Sequence, residues 1–359
     1  MNELFLERMK EMLKDEYPAY LKKLNDPARK GIRINTLKIT PDDFFANTNF
    51  DLEKSPFAKN GYYANIKSGV GFTPEHMAGF FYIQEPSASS AVTILDPKPG
   101  MKVLDMCAAP GSKSTQISEM LEQEGLLVVN EIHPTRARVL LENIERCGSA
   151  NTIVLNNDPK DISKAFPEFF DMVLCDAPCS GEGMFRKEDQ AVEQWSLENV
   201  QACALRQLCI LDEAYKCLKP GGTMVYSTCT FALEENEMCM KKFMQEHPDM
   251  HLVPIEVDFG RKAFDLGSHT DYARRIFPMD GGEGHFIAKL HKNGELTEST
   301  KKIMQSQPLP KEAKDFFDTF FVKQYPYYFV KNDKVYGGIQ PFYEVGKCHL
   351  LRHQVFLGE

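Results

Sequence analysis

Residues 102–113 read KVLDMCAAPGSK, an apolar run that predicts a β-strand, followed by a tight turn of small residues and the start of a helix. Small side chains let a ligand approach the backbone of such a turn closely. The turn lacks the three glycines that cradle a pyrophosphate, so the sequence favours an adenosine-type ligand without a pyrophosphate over a dinucleotide. This strand–turn–helix unit predicts the first crossover of an α/β sheet.

The alternation of apolar strands and helices continues to about residue 290. The predicted strands lie at 102–108, 126–132, 152–155, 171–177 and 223–227, and the predicted helices lie at 112–123, 134–147, 197–218 and 233–247. Near-continuous apolar strands separated by helices indicate an α/β protein with a doubly wound, mostly parallel sheet. Such sheets bind their ligands at the carboxyl ends of the strands.

Acidic residues stand at the ends of four successive predicted strands: Asp105, Glu131, Asp158 and Asp176. Glu131 follows Gly111 by 20 residues, a spacing that suits an acid accepting both ribose hydroxyls. Asp158 is placed to accept a hydrogen bond from an adenine amino group. Together the acids suit a cationic ligand such as S-adenosylmethionine. The alternative is that they cap the following helices, and for Asp158, in an Asp-Pro turn, the two interpretations are equally good.

Two cysteines follow the ends of neighbouring predicted strands, Cys179 in DAPCSGEG (176–183) and Cys229 in STCT (227–230). A thiolate is a strong, soft nucleophile. Carbon 5 of cytosine resists methylation until a thiolate adds at carbon 6 and makes carbon 5 enamine-like. Asp176 is placed to support the ring nitrogen that gains electron density. The alternative is that both cysteines are small core residues, and spacing alone does not choose which thiol attacks.

These motifs resemble the Fmu/Sun-type family of RNA (cytosine-5) methyltransferases, in its bacterial ribosomal RNA branch. The matching segments are VLDMCAAPGSKSTQ, VVNEIHPTRARVLLENIERCG, DMVLCDAPCSGEGMFRK and GGTMVYSTCTFALEENE, with IRINTLKI and YIQEPSASS upstream and FPMDGGEGHFIAKL downstream. The resemblance covers roughly residues 1–290. It implies a Rossmann-like class I methyltransferase fold, S-adenosylmethionine as cofactor and RNA as substrate.

The resemblance also implies the site residues. Around the methionine part and backbone of the cofactor it implies Cys107, Ala108, Ala109, Pro110, Gly111, Ser112 and Lys113, with Glu131 at the ribose, Asp158 by the adenine and Arg136 supporting the cofactor region. Between cofactor and base it implies the catalytic set of Cys229 as the nucleophile, Cys179 as the thiol that assists product release, Asp176 and Lys113. Ser112 stands where the family commonly has glycine, a mild departure because serine is also small. No metal site is predicted.

The composition of the chain argues against a structural zinc site and a membrane span and indicates the cellular compartment. The chain has 359 residues, a formal net charge of −9 and ten cysteines, with no CxxC pair that would suggest a structural zinc site. No stretch approaches the roughly 20 apolar residues of a membrane span. Cysteines without a secretory signal predict a reducing cytoplasm.

The negative charge is distributed unevenly over three predicted domains. Residues 1–75, an N-terminal RNA-side α+β domain, carry a net charge of +1, and residues 296–359, a short β-rich module related to the PUA fold, carry +2. Residues 76–295, the methyltransferase domain, carry −12. The acidity therefore lies where a cationic cofactor is expected, and it does not exclude RNA. RNA binding is expected to depend on a local basic groove and on RNA shape.

Contacts to RNA are predicted at several places. They are a basic edge of Arg29, Lys30, Arg33 and Lys38, the pair Arg186 and Lys187 beside the Cys179 loop, a pocket wall at 277–286, and the segments 325–329 and 347–352. The predicted substrate is a cytosine in small-subunit ribosomal RNA, with transfer RNA second. A ribosome-assembly factor that acts mainly by binding RNA is the alternative of another class. A monomer without membrane association is expected.

Overall fold

The computed structural model describes residues 2–66, 69–298, 301–320, 324–331 and 333–358. They form a small N-terminal sheet, a central ten-stranded sheet and a three-stranded sheet near the C-terminus. None of the helices in these ranges is both long enough and apolar enough to cross a bilayer.

The N-terminal part begins with two helices. The helix α1 (Glu3–Leu13) is followed by a short 3₁₀ turn and by α2 (Tyr17–Leu24). Pro18 explains the break, since proline is accommodated in the first turn of a helix and not in its interior. The next elements are β1 (Gly31–Ile34), α3 (Pro41–Asn47), β2 (Leu52–Lys54), β3 (Gly61–Ala64), α4 (Pro74–Met77) and β4 (Phe81–Gln84). Their strands pair antiparallel in the order β2-β3-β1-β4.

The strand β1 covers only the first part of the IRINTLKI segment (32–39). It ends at Ile34, because Asn35 starts a turn: its side-chain oxygen accepts from Leu37 N–H at 3.1 Å, and its carbonyl accepts from Lys38 N–H at 3.0 Å. Asparagine side chains favour such turns over a continuing strand.

The central part alternates strands and helices as predicted. Its elements are α5 (Ser90–Leu95), β5 (Lys102–Asp105), α6 (Ser112–Met120), β6 (Leu126–Asn130), α7 (Pro134–Cys147), β7 (Thr152–Leu155), α8 (Pro159–Ala165), β8 (Phe170–Asp176), α9 (Asp189–Gln194), α10 (Leu197–Cys217), β9 (Leu218–Thr228), α11 (Glu237–Glu246), β10 (Met250–Leu252), β11 (Arg261–Lys262), β12 (Arg274–Ile276) and β13 (His285–Lys292).

Five parallel strands in the order β9-β8-β5-β6-β7 form the middle of the central sheet, and antiparallel strands flank them. Alternate residues of the strands face opposite layers: Val103 and Leu127 pack with helix residues of α6 and α7, whereas Leu104 packs with residues of α8 and α10. The sheet is thus covered by helices on both faces. The predicted α/β, doubly wound, Rossmann-like fold is confirmed.

The chain order of these strands reverses between β5 and β8, which makes the gap between them a topological switch point. Open α/β sheets bind ligands in the crevice at such a point, outside the carboxyl ends of the strands. A ligand site is therefore expected at the loops after β5, β6, β7, β8 and β9.

The segment after residue 300 contributes to two sheets. Its elements are α12 (Lys311–Phe320), β14 (Tyr327–Lys331), β15 (Lys334–Gly338), β16 (Leu350–His353) and β17 (Val355–Gly358). Three of the strands form the small sheet β14-β15-β17, but β16 pairs antiparallel with β7 and covers that edge of the central sheet. The guanidinium of Arg352 is buried there and donates to Ser149 O at 3.0 Å.

Candidate active site

The predicted cofactor turn lies directly after β5, between the first strand and α6. The turn is hydrogen-bonded to both neighbouring strands: Met106 N–H donates to Leu174 O at 3.0 Å, and Ala108 N–H donates to Asn130 O at 2.8 Å. These bonds fix the turn at the switch point of the sheet. They hold its small side chains where a ligand can reach the backbone.

Gly111 marks the end of the turn and the N-cap of α6. Its φ is +108°, a conformation that L side chains rarely adopt, and a Cβ there would lie 3.2 Å from Leu140 Cδ1. Ala109–Pro110 is a cis peptide, and Pro110 O accepts from Asn143 Nδ2 at 2.8 Å. Ser112 is the first residue of α6.

Asn130, a residue that the sequence analysis did not single out, ties three strand ends together. Its Nδ2 donates to Met106 O at 3.3 Å and to Asn157 O at 3.0 Å, and its Oδ1 accepts from Asn157 N–H at 3.0 Å. The only sequence signal was a polar residue at the end of an apolar strand, directly before Glu131. Asn130 therefore positions the cofactor turn and the loop after β7.

Glu131 and Arg136 lie together beside the turn, as predicted. Glu131 is buried; its Oε1 accepts from His133 N–H at 2.9 Å, and its Oε2 lies 3.3 Å from Arg136 Nη1. Arg136 also donates from Nη2 to Ala109 O at 2.9 Å. The arginine thus links the acid at the end of β6 to the turn after β5.

Two of the other three strand-end acids, Asp158 and Asp105, have different surroundings. Asp158 caps α8 by accepting from Lys160 N–H at 2.9 Å, and it lies exposed on the rim of the cavity described below, so its capping role is observed. Asp105 is fully buried and accepts from Ser114 Oγ at 2.7 Å. Burial raises the pKa of Asp105 to about 7. Asp105 does not line the cavity, so the expected row of four acids facing one ligand is reduced to three.

A partly buried ion pair lies at the end of β8. Lys113 Nζ is 2.7 Å from Asp176 Oδ2, and Ser227 Oγ donates to Asp176 Oδ1 at 2.6 Å. Burial by itself lowers the pKa of Lys113, but the attraction of the Asp176 carboxylate and their hydrogen bond outweigh it, and the pKa is raised. Lys113 is therefore a cation at neutral pH, and its ammonium group contacts the acid at the end of β8.

The two predicted cysteines meet. Cys179 Sγ lies 3.3 Å from Cys229 Sγ, and Cys229 N–H donates to Cys179 Sγ at 3.4 Å. Its hydrogen bond with Cys229, together with burial, raises the pKa of the Cys179 thiol well above its usual value. The two thiols are thus in direct contact, and either sulfur can donate to the other. The interpretation of both cysteines as unrelated core residues does not fit this contact.

A buried carboxylate that the sequence analysis missed holds the Cys179 loop. Glu235 Oε2 accepts from Ser180 N–H at 3.0 Å and from Gln207 Nε2 at 2.7 Å, and Glu235 Oε1 accepts from Ser180 Oγ. Gln207 also donates to Pro178 O at 3.1 Å. Burial raises the pKa of Glu235 to about 7. The run of acids in FALEENE was visible in the sequence, but nothing in it distinguished the one that turns inward.

The same loop contacts the end of β9 through Gly183. Gly183 N–H donates to Cys229 O at 2.8 Å, and a Cβ at this position would lie 2.9 Å from that oxygen. Glu182 is buried and accepts from Trp195 Nε1 at 2.8 Å and from Phe231 N–H at 2.9 Å. Only glycine permits so close an approach of the two catalytic loops.

One cavity of about 880 Å³ joins these groups. The predicted site residues that line it are Cys107, Ala109, Glu131, Arg136, Asp158, Asp176, Cys179 and Cys229. Ala108, Pro110, Gly111 and Ser112 form the turn behind it, and Lys113 reaches it through Asp176. Carboxylates beside a turn of small residues suit a ligand with ribose hydroxyls and a positive charge, so these residues fit S-adenosylmethionine.

Several predicted RNA contacts have other partners. Arg33 is buried and donates to Thr115 Oγ1 at 2.7 Å, to Ser112 O at 3.1 Å and to Glu119, so the prediction that it lies on an exposed basic edge is wrong. The reason is that both faces of β1 are covered, one of them by α6. Lys30 and Lys38 are exposed.

Arg186 is likewise engaged within the protein. It lies 3.1 Å from the buried carboxylate of Glu283 and donates to Asp26 O and Pro27 O, both at 2.8 Å, whereas Lys187 is exposed. A role of Arg186 as a free phosphate-binding group is therefore wrong. Arg352, in the segment 347–352, is buried against the loop before β7 and does not face solvent.

The segment 277–286 lies behind the cavity and does not wall it. Phe277 stacks on Phe231 at 5.1 Å between ring centroids, and Gly281 O accepts from Tyr63 Oη at 2.8 Å. His285 is buried, with Nδ1 3.0 Å from Ser87 Oγ, and burial lowers the pKa of His285 to about 4. This segment therefore joins the N-terminal part to the central sheet.

The fold and the cavity together define an S-adenosylmethionine-dependent methyltransferase. A solved structure described as a methyltransferase homolog protein from Pyrococcus horikoshii superposes with a TM-score of 0.70, at 30% identity, over 81% of this chain and 95% of that one. The family described as "16S rRNA methyltransferase RsmB/F" matches residues 92–291, and the "N-terminal domain of 16S rRNA methyltransferase RsmF" matches residues 1–86. The chain belongs to this family. The predicted family resemblance and the predicted cofactor are thereby confirmed.

Curated relatives agree with this assignment. A ribosomal RNA small subunit methyltransferase F from Vibrio cholerae is 40% identical over 307 residues, which are 81% of this chain and 63% of the relative. The protein of the same name from Escherichia coli (strain K12) is 37% identical over 302 residues, 80% of this chain and 62% of the relative. The chain thus spans less than two thirds of the length of these relatives.

Proposed function

We propose that this protein transfers a methyl group from S-adenosylmethionine to carbon 5 of a cytosine in small-subunit ribosomal RNA, through a covalent bond between Cys229 and the base. The observation that carries the proposal is the pair of thiols, 3.3 Å apart, in the same cavity as the Lys113–Asp176 ion pair and the cofactor turn. A methyltransferase that acts on an oxygen or an exocyclic nitrogen has no need of two such thiols.

The cofactor region is proposed to work as predicted. Glu131 would accept from the ribose hydroxyls, Asp158 would lie by the adenine, and the backbone of Cys107 and Ala109 would face the methionine part. Arg136 would hold Glu131 in place through the 3.3 Å ion pair. The bound cofactor would supply an electrophilic methyl group. That group would lie at the end of β8 beside Asp176, where the target base is proposed to bind.

Cys229 is the proposed nucleophile. An S–H of Cys179 that donates to Cys229 Sγ, across the 3.3 Å contact, would stabilise negative charge on Cys229. Cys229 Sγ forms a bond to carbon 6 of the base. The electron pair of the carbon 5–carbon 6 double bond is displaced towards the ring nitrogen. The ring nitrogen that gains this density takes a proton at the Lys113–Asp176 pair.

The remaining steps restore the aromatic ring. Carbon 5, now enamine-like, would form the new bond to the methyl carbon as the bond between that carbon and the cofactor's sulfur breaks, and the ring nitrogen would return its proton to the Lys113–Asp176 pair. Loss of the carbon 5 proton to a base returns the electron pair to the carbon 5–carbon 6 bond, and the bond from carbon 6 to Cys229 Sγ breaks. The thiolate that leaves is received by the Cys179 S–H, which is the proposed role of Cys179 in product release.

Small-subunit ribosomal RNA is the proposed substrate because the relatives that match both halves of the chain carry that substrate in their names. We also propose the domain division 1–75, 76–295 and 296–359, a monomeric state and action in the cytoplasm, where ten cysteines stay reduced. Size-exclusion chromatography with light scattering would test the monomer.

The first experiment is methyl transfer to small-subunit RNA by the protein and by Cys229→Ala. We expect Cys229→Ala to abolish transfer, because no thiol then activates carbon 5, while the affinity for S-adenosylmethionine measured by calorimetry stays the same. Cys348→Ala, which removes a thiol whose partner is the distant Asp161 O, is the matched control and should remain active. Full activity of Cys229→Ala would refute the proposed mechanism.

The second experiment separates the roles of the two thiols. Cys179→Ala should leave the protein bound to RNA as an adduct that survives denaturing electrophoresis, because bond formation is retained and release is impaired. The double variant Cys179→Ala/Cys229→Ala should form none. An adduct in Cys229→Ala and not in Cys179→Ala would reverse the assignment. Bisulfite sequencing of RNA treated with the active protein would identify the modified cytosine.

A further inference from the structure

We propose that the active-site cavity has a second compartment, which binds the nucleotide next to the target base, an inference that rests on the proposed function. The compartment, called here the α9–α10 arm, is the part of the cavity wall formed by α9, α10 and the residue before α9. The side chains that line it are Glu188, Gln190, Gln194, Asn199 and Arg206.

The arm is continuous with the catalytic centre. The same cavity is lined by Cys179 and Cys229 on one side and by the arm on the other. Its volume of about 880 Å³ lies near the upper end of the range for a site that holds one small ligand, roughly 300–1,000 Å³. The cofactor and the target base are proposed to bind at the strand ends. The α9–α10 arm extends from there along α9 and α10. Space of this kind suits a third group that is part of the same substrate.

The side chains of the arm have the chemistry that reads a nucleotide. The exposed side chains of Arg206, Gln190 and Gln194 make no hydrogen bond or ion pair to another described residue. Arginine binds phosphate through parallel N–H donors, and glutamine amides pair with base edges. A carboxylate such as that of Glu188 can accept from an exocyclic amino group. RNA is read in this way where bases are unstacked, and a target base that is flipped out unstacks its neighbours.

The wall behind these side chains is fixed. Gln207, the residue after Arg206, is buried and donates to Pro178 O at 3.1 Å and to Glu235 at 2.7 Å. Trp195, directly after α9, is buried and donates to Glu182 at 2.8 Å. The arm therefore combines unengaged polar tips with a backbone tied to the catalytic loops. A binding subsite needs such support in order to position its ligand.

The test is binding of an in vitro transcript of small-subunit ribosomal RNA, measured without cofactor so that it does not depend on methyl transfer. We expect Arg206→Ala to raise the dissociation constant about tenfold or more, because a charge-assisted contact to phosphate is lost. The plot of log affinity against log salt concentration should become shallower by about 0.7, the value for one phosphate contact on a single strand. Arg138→Ala, which removes an exposed arginine on α7, is the matched control and should change neither quantity.

Base reading is tested separately with transcripts that differ only in the nucleotides on either side of the modified cytosine. Gln194→Ala should reduce the ratio of the dissociation constants of the most weakly and the most tightly bound transcripts. Arg206→Ala with unchanged RNA affinity and slope, or with a weakened affinity for S-adenosylmethionine instead, would overturn the subsite. If the protein binds RNA with the predicted Arg206 dependence but transfers no methyl group, the proposed function fails while the subsite stands. If it binds no RNA, the subsite fails.

Discussion

At the scale of single residues, the site depends on a charged pair between a buried lysine and an acid that faces the cavity. Lys113 is buried, and its ammonium group stays charged because Asp176 lies 2.7 Å away. The carboxylate is in turn fixed by Ser227. A proton donor that already faces the base costs little reorganisation when electron density reaches the ring. We therefore expect the pair to supply a proton at the ring nitrogen without a change of position.

Lys113→Met tests this role of the ion pair. We expect kcat to fall by a factor of about 10²–10⁴, the usual contribution of a positioned acid. The reason is that Asp176 loses the lysine ammonium group that provides the proton. The KM for S-adenosylmethionine should change far less. Lys164→Met, at an exposed lysine of α8, serves as the control and should leave both constants unaltered. A kcat that Lys113→Met leaves intact would contradict the assignment.

Glu235→Gln tests the support of the Cys179 loop. All three hydrogen-bond partners of the carboxylate are donors: the N–H and the Oγ–H of Ser180 and the side-chain amide of Gln207. An amide at this position must turn its NH₂ group towards one of them, so the loop should shift. We expect a lower kcat with an unchanged affinity for S-adenosylmethionine. Equal kcat in Glu235→Gln and wild type would show that the carboxylate has no positioning role.

At the scale of elements, a buried ion pair joins the N-terminal sheet to the cofactor turn. Arg33 on β1 donates to Ser112 O, Thr115 Oγ1 and Glu119, all at the start or along the face of α6. The helix that follows the turn is thereby anchored to the N-terminal part of the protein.

Arg33→Met tests the strength of the junction. It leaves Glu119 buried without its cation, and breaking a buried pair in this way costs about 3–5 kcal/mol of unfolding free energy. We expect that loss in urea unfolding. The double variant Arg33→Met/Glu119→Met should recover part of it, because no charge is then left unpaired. A double variant as unstable as the single one would argue against an electrostatic cause.

The elements also show where the sequence was informative. The helix predicted over 134–147 was found with those bounds, because Pro134 fits a first helical turn and Gly148, with φ +77°, ends the helix. The meeting of Cys179 and Cys229 followed from neighbouring parallel strands. The burial of Arg33 did not follow, because an alternating strand predicts that its polar face meets solvent, whereas α6 covers that face. Which glutamate of a charged run turns inward, as Glu235 does, depends on tertiary packing alone.

At the scale of the whole molecule, histidines buried as neutral groups make stability depend on pH. Burial lowers the pKa of His353 on β16 to about 4. Its ring packs 4.5 Å from that of Phe342 between centroids, and its Nε2 lies 3.4 Å from Tyr343 O. His285, in the central sheet, is lowered to about 4 for the same reason.

The sign of the pH effect follows from proton binding. Between pH 6.5 and about 4 the unfolded chain protonates these histidines and the folded chain does not, so their contribution to the free energy of unfolding decreases as the pH falls through this window. Asp105 and Glu235, whose pKa values burial raises to about 7, act in the opposite sense over the same window. We expect His353→Gln to lower the slope of the unfolding free energy against pH, measured by urea unfolding from pH 7 to pH 4. An unchanged slope would contradict burial of a neutral His353.

The pairing of β16 with β7 has a consequence for the order in which the protein is made. Asn157, just after β7, bonds to His349, 192 residues further along the chain. During synthesis the edge of β7 therefore remains without its neighbour until that distant strand leaves the ribosome, at a rate of roughly 5–20 residues per second. An uncovered strand edge is a template for pairing with other chains. The nascent protein thus passes through a period of about 10 to 40 seconds in which a chaperone has an open sheet edge to protect.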